Sequence, residues 1–563
     1  MKHSKIADMP KARKTEPHVS PWDAEVQLLL WLATCVSVFS FLFFFQRGEV
    51  LLYGDAIAHM NIARRVFDSK TPGLLQLGTV WLPLPHLLMI PFLLSKEMWQ
   101  RGVGGSFPSM AAYILGVIGV FRLVRGLFAR NGELDTPGRS AAWIAAFGYA
   151  ANPNLIYMQS TAMGEALYLA LFIWAVVYFC EAMRGDNGSL TKCGLTLAAA
   201  CLTRYDGWFL ASGMAVLAIL MLFEAKNPVF SRAAVARFVL ISAAAPALWL
   251  AYNGIVYRNP LEFENGPYSA KAIERRTQTG GNPGHPGSGR LVASAQYFLK
   301  SAEFNMAQNL WLQRGWILLV LLALLTLLAA HQLGDSFFLN VPLASGLLPF
   351  LLLLIPLPFY ALSVAYGGVP IFIPAWWPFT HYNARYGLQL LPAFSFALAL
   401  ITYFVLGSRR FGGKVRSGVA LALLAFLIGS YSSAWQATPI CLTEAEVNMR
   451  TRNRLEAELA TWLRKLPANA TLLMYLGDHV GAVQLAGIPL KDVINEGNHR
   501  TWMQPSDPQG LWEHALADPA QFADYAVAFE GDPVWLAIKD RHLRALVELH
   551  VSGQARAILY RLR

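Results

Sequence analysis

Charge is what this chain has least of. Of 563 residues only 14% are Asp, Glu, Lys or Arg, while 55% are hydrophobic. Mean hydropathy is +0.39. Soluble domains carry about 25% charged residues, so a soluble protein of this length is excluded. Cysteine is scarce too. Cys35, Cys180, Cys193 and Cys201 lie in or beside apolar segments, and Cys441 lies in the polar C-terminal part. They form no CxxC zinc pattern and no disulfide framework. GxGxxG and Walker glycine patterns are missing, so nucleotide binding is not indicated. No compact basic–aromatic motif occurs. The formal charge of +11 therefore reads as loop orientation and contact with anionic headgroups, not nucleic-acid binding.

Long apolar runs are abundant. Residues 26–45 carry no charge, which at about 1.5 Å per residue spans hydrocarbon. The run lacks a small-residue cleavage site and reads as a retained helix. Further runs lie near 81–97, 108–124, 140–157, 162–180, 189–203, 207–223, 236–257, 311–331, 341–364, 384–406 and 417–435. Basic residues in 122–139 and 407–416 place those connections in the cytoplasm. Residues 1–22 read as a disordered cytoplasmic tail, and everything after 436 as external. Such a topology needs an odd number of crossings, whereas the runs number twelve. The proline-bearing run 81–97 is the best candidate for an incomplete span. The expectation is 11–13 transmembrane helices over 23–436, with external loops 46–80, 258–310 and 365–383. After residue 440 polar helices alternate with short apolar strands. A helix over 444–465, strands at 472–475, 526–529 and 557–562, and a helix over 533–550 predict an external α/β domain, 440–563, with a mainly parallel sheet.

The stretch GDAIAHMNIARR, 54–65, follows the first run. Asp55 reads as an N-cap, its carboxylate accepting free amides of the first turn. It also reads as a functional acid. Asp55 and His59 share one side of the helix at i, i+4, placing an acid and an imidazole together at the membrane surface.

Taken with four other stretches, this one resembles the GT-C class of membrane glycosyltransferases. The nearest resemblance is to the family of dolichyl-phosphate-mannose protein mannosyltransferases and aminoarabinose transferases. The other stretches are WLPLPHLL at 81–88, AMGEALYLALF at 162–172, LTRYDGW at 202–208 and HYNARYGLQLLP at 381–392. The resemblance covers roughly 25–435 in order and topology. It implies a polytopic helical fold, a sugar donor linked to polyprenyl phosphate, and transfer to an acceptor hydroxyl on the non-cytoplasmic face of the plasma membrane. It implies that Asp55 acts as base or acceptor orienter, with Glu165 as the second acid. The pair are candidate oxygen ligands for a divalent cation, Mg or Mn. Arg385 would pair with the phosphate and Tyr386 would add a hydroxyl. Tyr268 and Lys271, in NGPYSAKA, and His59 are further phosphate or substrate candidates. The chain departs from the family at Ala56, where many relatives carry a second acid, and at the second span, where His86 follows the prolines and the usual lysine is absent.

Each residue has a plainer reading. Glu165 at a helix head suits the macrodipole. Arg385 at a span end is placed to reach headgroups. Lys271 reads as a solvated loop lysine, and His59 as an interfacial histidine. Arg204 and Asp206 read as a pair stabilising a helix break. Two other functions compete: a lipid-linked sugar transporter or flippase, and a non-catalytic subunit of an envelope polysaccharide machine. A transporter calls for polar residues at mid-membrane depth, often in repeated halves. No repeat is visible, and the ionisable residues cluster near one face.

Overall fold

A computed structural model describes residues 23–129, 135–224, 229–279, 284–333, 344–408, 411–477, 479–498 and 508–563. The basic tail 1–22, part of the GGNPGHPGSG loop, and Arg130, Arg409 and Arg410 lie outside the described residues.

Among the described residues nine helical segments are long and apolar enough to cross a membrane. They begin with Ala24–Gln46 and end with the segment that starts at Gly413. The run at 81–97 is not a span. Its helix, Leu84–Leu93, has 10 residues and an internal Pro91, about 15 Å of length, half a bilayer core. The run at 140–157 is divided into Thr136–Ala150 and Pro153–Gln159. The break is stabilised by Asn152, whose side chain accepts from the amides of Asn154 and Leu155, both at 3.0 Å. LTRYDGW forms the expected break between Asn187–Cys201 and Asp206–Glu224. Gly207 permits the tight turn: a Cβ there would lie 2.6 Å from the Ala200 carbonyl oxygen.

The short helix Gly54–Arg65 follows the first span, with Asp55 in its first turn and Arg64 and Arg65 in its last, the charge order a helix dipole favours. Asp55 is not its N-cap. Tyr53 holds that position without a side-chain cap bond, so the carboxylate of Asp55 is available for other contacts.

After the last span, helix Ile440–Leu463 leads into a five-stranded sheet. Its strands are β1 (Leu472–Met474), β2 (Val493–Ile494), β3 (Tyr525–Phe529), β4 (Arg544–Leu549) and β5 (Ala557–Arg561), in the order β2-β1-β3-β5-β4. β1 pairs in parallel with β2 and β3, whereas β5 pairs antiparallel with β3 and β4. The sheet is thus mixed and not mainly parallel. The expected helix over 533–550 stops at Ile538, and Arg544–Leu549 is strand β4. Its RALVEL sequence carries Arg544 and Glu548 among apolar residues, charges that suit its place at the sheet edge.

This domain packs on helix Gly54–Arg65. Asn61 Nδ2 donates to Gln484 Oε1 at 2.7 Å. Gln484 in turn donates to the Trp99 carbonyl at 2.8 Å, and the Trp99 indole to Asn61 Oδ1 at 3.1 Å. Asp68 accepts from the Lys491 amide at 3.1 Å.

Candidate active site

The site is organised around Arg385. It follows Asn383, whose φ of 55° is left-handed and tolerable for an asparagine. Its backbone is pinned from below. The Ala384 carbonyl accepts from Ser301 Oγ at 2.6 Å and Asn305 Nδ2 at 2.7 Å. Gly387 lets the short helix Ala384–Leu390 lie against this support, since a Cβ there would lie 2.4 Å from the Ala302 nitrogen.

The guanidinium meets three carboxylates from three parts of the chain. Nη2 lies 2.7 Å from Asp55 Oδ2, Nε 3.2 Å from Glu165 Oε1, and Nη1 2.6 Å from Glu444 Oε1. The rings of Tyr53 and Tyr386 lie 5.2 and 5.1 Å from its central carbon. A second arginine extends the network. Arg204 Nη1 lies 3.2 Å from Glu165 Oε1, and its Nε lies 3.2 Å from Asp206 Oδ1. Tyr360 accepts from Arg204 and donates to Asp206, both at 2.9 Å. Tyr386 lies between the two guanidiniums, with Arg204 4.9 Å from its ring centre.

Burial separates the acids by role. The side chains of Glu165 and Glu444 are 1% and 0% exposed, while that of Asp55 is 40% exposed. Asp55 is the member of the Arg385 triad that a substrate can reach. Its Oδ2 is held by Arg385, leaving Oδ1 for a ligand. Counting Asp206, four carboxylates surround two guanidiniums. If all are ionised, the cluster keeps a net charge of −2. Such a centre suits a neutral hydroxyl better than a phosphate.

The cationic side lies further along the same helix. Arg65 forms no ion pair with any described carboxylate, and its Nε is buried without a hydrogen-bond partner. Arg64, by contrast, pairs with Asp68 at 2.7 Å. An unpaired, partly buried cation is costly, so of the two arginines that end this helix Arg65 is the one with capacity for an anion. His59 Nδ1 lies 2.8 Å from His86 Nε2, and both side chains are buried. Burial holds His59 below its usual imidazole value, opposed by the charge of Asp55.

Of the residues expected from sequence, Asp55, Glu165, Arg385 and Tyr386 come together. His59 lies one helical turn from Asp55. Lys271 pairs with Glu264 at 2.5 Å, and Tyr268 is exposed. Arg204 and Asp206 pair as expected, and in addition they brace Glu165. As a metal pair, Asp55 and Glu165 are each engaged by Arg385. Among the described residues no group of three or more His, Cys, Asp or Glu is placed to hold a metal ion.

Glu444 was not anticipated. It lies beyond the last span in ICLTEAEV, within the polar part. Its signal was slight: an acid one turn after the apolar triplet that opens an amphipathic helix.

The arrangement of these helices matches that of a known class of membrane glycosyltransferases, the GT-C class. The crystal structure of ArnT, an aminoarabinose transferase, from Cupriavidus metallidurans bound to undecaprenyl phosphate aligns over 96% of this chain and 98% of that one, with TM-score 0.54 and 14% identity. Its apo state aligns over the same shares with TM-score 0.56 and 13% identity. At these identities the likeness establishes the fold. An oligosaccharyltransferase from Archaeoglobus fulgidus aligns more loosely, over 90% of this chain and 69% of that one, with 12% identity and TM-score 0.45, too low to carry an argument. No family model and no curated protein sequence matches the chain.

Proposed function

We propose that this chain is an integral membrane glycosyltransferase. It moves a sugar from a polyprenyl-phosphate donor to an acceptor hydroxyl on the non-cytoplasmic face, with the C-terminal domain, 440–563, on that same face. One observation carries the reading. Asp55, half exposed, is held at 2.7 Å by an otherwise buried arginine that two fully buried glutamates fix in place. The likeness in fold to ArnT, one structure of which is bound to undecaprenyl phosphate, supports the choice of donor. The placement of the face follows from the basic connections 122–139 and 407–416.

In the reaction the acceptor oxygen attacks the anomeric carbon of the sugar. The bond from that carbon to the phosphate oxygen breaks, and polyprenyl phosphate leaves with the electron pair. Asp55 Oδ1 accepts the hydroxyl proton as general base. Arg385 orients Asp55, Glu165 and Glu444 hold Arg385, and Tyr386 lies between the two guanidiniums. Arg65 supplies a cation for the leaving phosphate, and His59, one turn from Asp55 on the same helix, supplies a ring nitrogen.

Asp55→Asn tests the assignment. It preserves shape and helix, and a general base contributes about 10²–10⁴-fold. Turnover of purified lipid-linked donor is expected to fall by at least about 100-fold, with insertion and melting unchanged. Wild-type turnover in this variant would exclude Asp55 as the base.

A further inference from the structure

His59 and His86 share a hydrogen bond of 2.8 Å between His59 Nδ1 and His86 Nε2. A bond between two neutral imidazoles contains a single proton, so one ring donates and the other accepts. Two arrangements are available, and they present opposite chemistry to the site.

In the first, His59 Nδ1 donates. His86 must then carry its own proton on Nδ1. That atom is buried without a hydrogen-bond partner, in a side chain that is 0% exposed. The arrangement strands a buried N–H, which native structures rarely leave unpaired. In the second, His86 Nε2 donates and its Nδ1 is a bare lone pair. The charge of Arg65 acts on His86, and a lone pair tolerates positive potential better than an N–H does. The second arrangement therefore prevails, and it puts the proton of His59 on Nε2.

His59 Nε2 is the outward atom of the pair. It has no partner among the described residues, yet it is not among the atoms sealed from solvent. His59 lies on the same helix as Asp55, one turn on. The charged groups that act on it are Asp55, Glu165, Arg385 and Arg204. Those acting on His86 are His59 and Arg65.

We propose that His86 is a positioning residue: it locks His59 in the neutral tautomer protonated at Nε2, so that His59 donates a hydrogen bond to a phosphate oxygen of the donor beside Asp55. The identity of that oxygen rests on the glycosyltransferase reading; the tautomer does not. A neutral donor stabilises charge developing on the leaving phosphate without placing a further cation in a buried ring. The same fixed ring cannot serve as a base at Nε2, which leaves that task to Asp55.

Nitrogen-15 NMR of the full-length protein, labelled at histidine in detergent micelles, reads the tautomer directly. Wild-type His59, assigned with His59→Gln, is expected to show a protonated Nε2 and a bare Nδ1. His86→Gln retains an N–H donor and keeps that pattern. His86→Leu removes the donor and shifts a large fraction of His59 to the Nδ1-protonated form. Kinetics with a polyprenyl-phosphate sugar add a second readout. His86→Leu is expected to raise KM for the donor by about 2- to 10-fold, the worth of one neutral hydrogen bond, and His86→Gln by less. A proton found on Nδ1 of wild-type His59, or a tautomer ratio unchanged by His86→Leu, overturns the proposal. If the expected tautomers appear but wild type turns over no lipid-linked donor, the pair stands and the reaction class fails.

Discussion

Glu444→Gln is the sharpest perturbation of the site, because it changes one charge and almost no volume. Glu444 accepts twice: Oε2 from the Ala384 amide and Oε1 from Arg385 Nη1, each at 2.6 Å. Glutamine offers one oxygen and one NH₂ group, so whichever way it turns, a donor faces a donor. The loss includes one hydrogen bond to a charged or adjacent group, about 1.5–3 kcal/mol, and one buried donor without an acceptor, about 1–3 kcal/mol. Removing one of four carboxylates gathered about two guanidiniums relieves repulsion among the acids and returns part of that. A net cost of about 3 kcal/mol follows, within the range for breaking a buried pair. Expressed wholly in the transition state, it is a fall of roughly 100-fold in kcat/KM, at about 1.4 kcal/mol per decade. The assay is sugar transfer by purified protein, with thermal unfolding in the same detergent. Arg385→Lys, alone and combined with Glu444→Gln, closes a double-mutant cycle, and the two changes should be strongly non-additive. Wild-type kcat/KM and an unchanged melting point in Glu444→Gln would refute the claim that this residue fixes Arg385.

Arg65→Gln is expected to weaken binding of polyprenyl phosphate by at least about tenfold, the scale of one charge-assisted bond, while raising melting temperature in the absence of lipid, because an unpaired partly buried cation has been removed; calorimetric titration and thermal scans check both. Gly207→Ala places a methyl 2.6 Å from the Ala200 carbonyl oxygen and should open the turn that positions Arg204, lowering folded yield in detergent. In the C-terminal domain, burial pushes the Asp532 carboxyl from 3.8 up to about 6. A carboxyl raised in the folded state adds stability that is fully present below about pH 3.8 and is lost as pH rises through about 6. Two pH units correspond to at most about 3 kcal/mol. Hydrogen-exchange protection of the β3 segment, taken relative to the intrinsic exchange rate at each pH, should therefore fall over that window in wild type, and Asp532→Asn, itself a sound helix cap, should flatten the change.

The spans were legible because a run of twenty apolar residues has few other uses. Their exceptions were partly legible too. The prolines in 81–97 marked a run that proves to be only 10 helical residues long. What defeated the reading was pairing between distant positions. Asp55 as an N-cap was a sound local inference, but Tyr53 takes the cap, and the carboxylate turns to an arginine 330 positions away. Periodicity reports which face of a helix is buried, not what polar group waits there. The misread helix at 533–550 has the same origin. Arg544–Leu549 becomes a strand because β5 offers it an antiparallel partner, and tertiary pairing overrides local propensity.

Glu444 changes how the two halves of the chain relate. Composition divides them near residue 440, and by that measure the polar part is an appendage. The geometry argues otherwise. Helix Ile440–Leu463 contributes the acid that binds Arg385 most closely. Gln484 grips the helix that bears Asp55 through Asn61, and the Lys491 amide holds Asp68 just past its end. Asp55, the proposed base, and its arginine are thus each held by a group from beyond residue 440, one through its helix and one by direct ion pair. A substitution on either grip, hundreds of residues from Asp55 in sequence, moves Asp55 relative to Arg385, and a displacement of about 1 Å is enough to cost about 100-fold in rate. The C-terminal domain is accordingly part of the proposed catalytic apparatus, and its loss should abolish transfer even where the membrane bundle remains inserted.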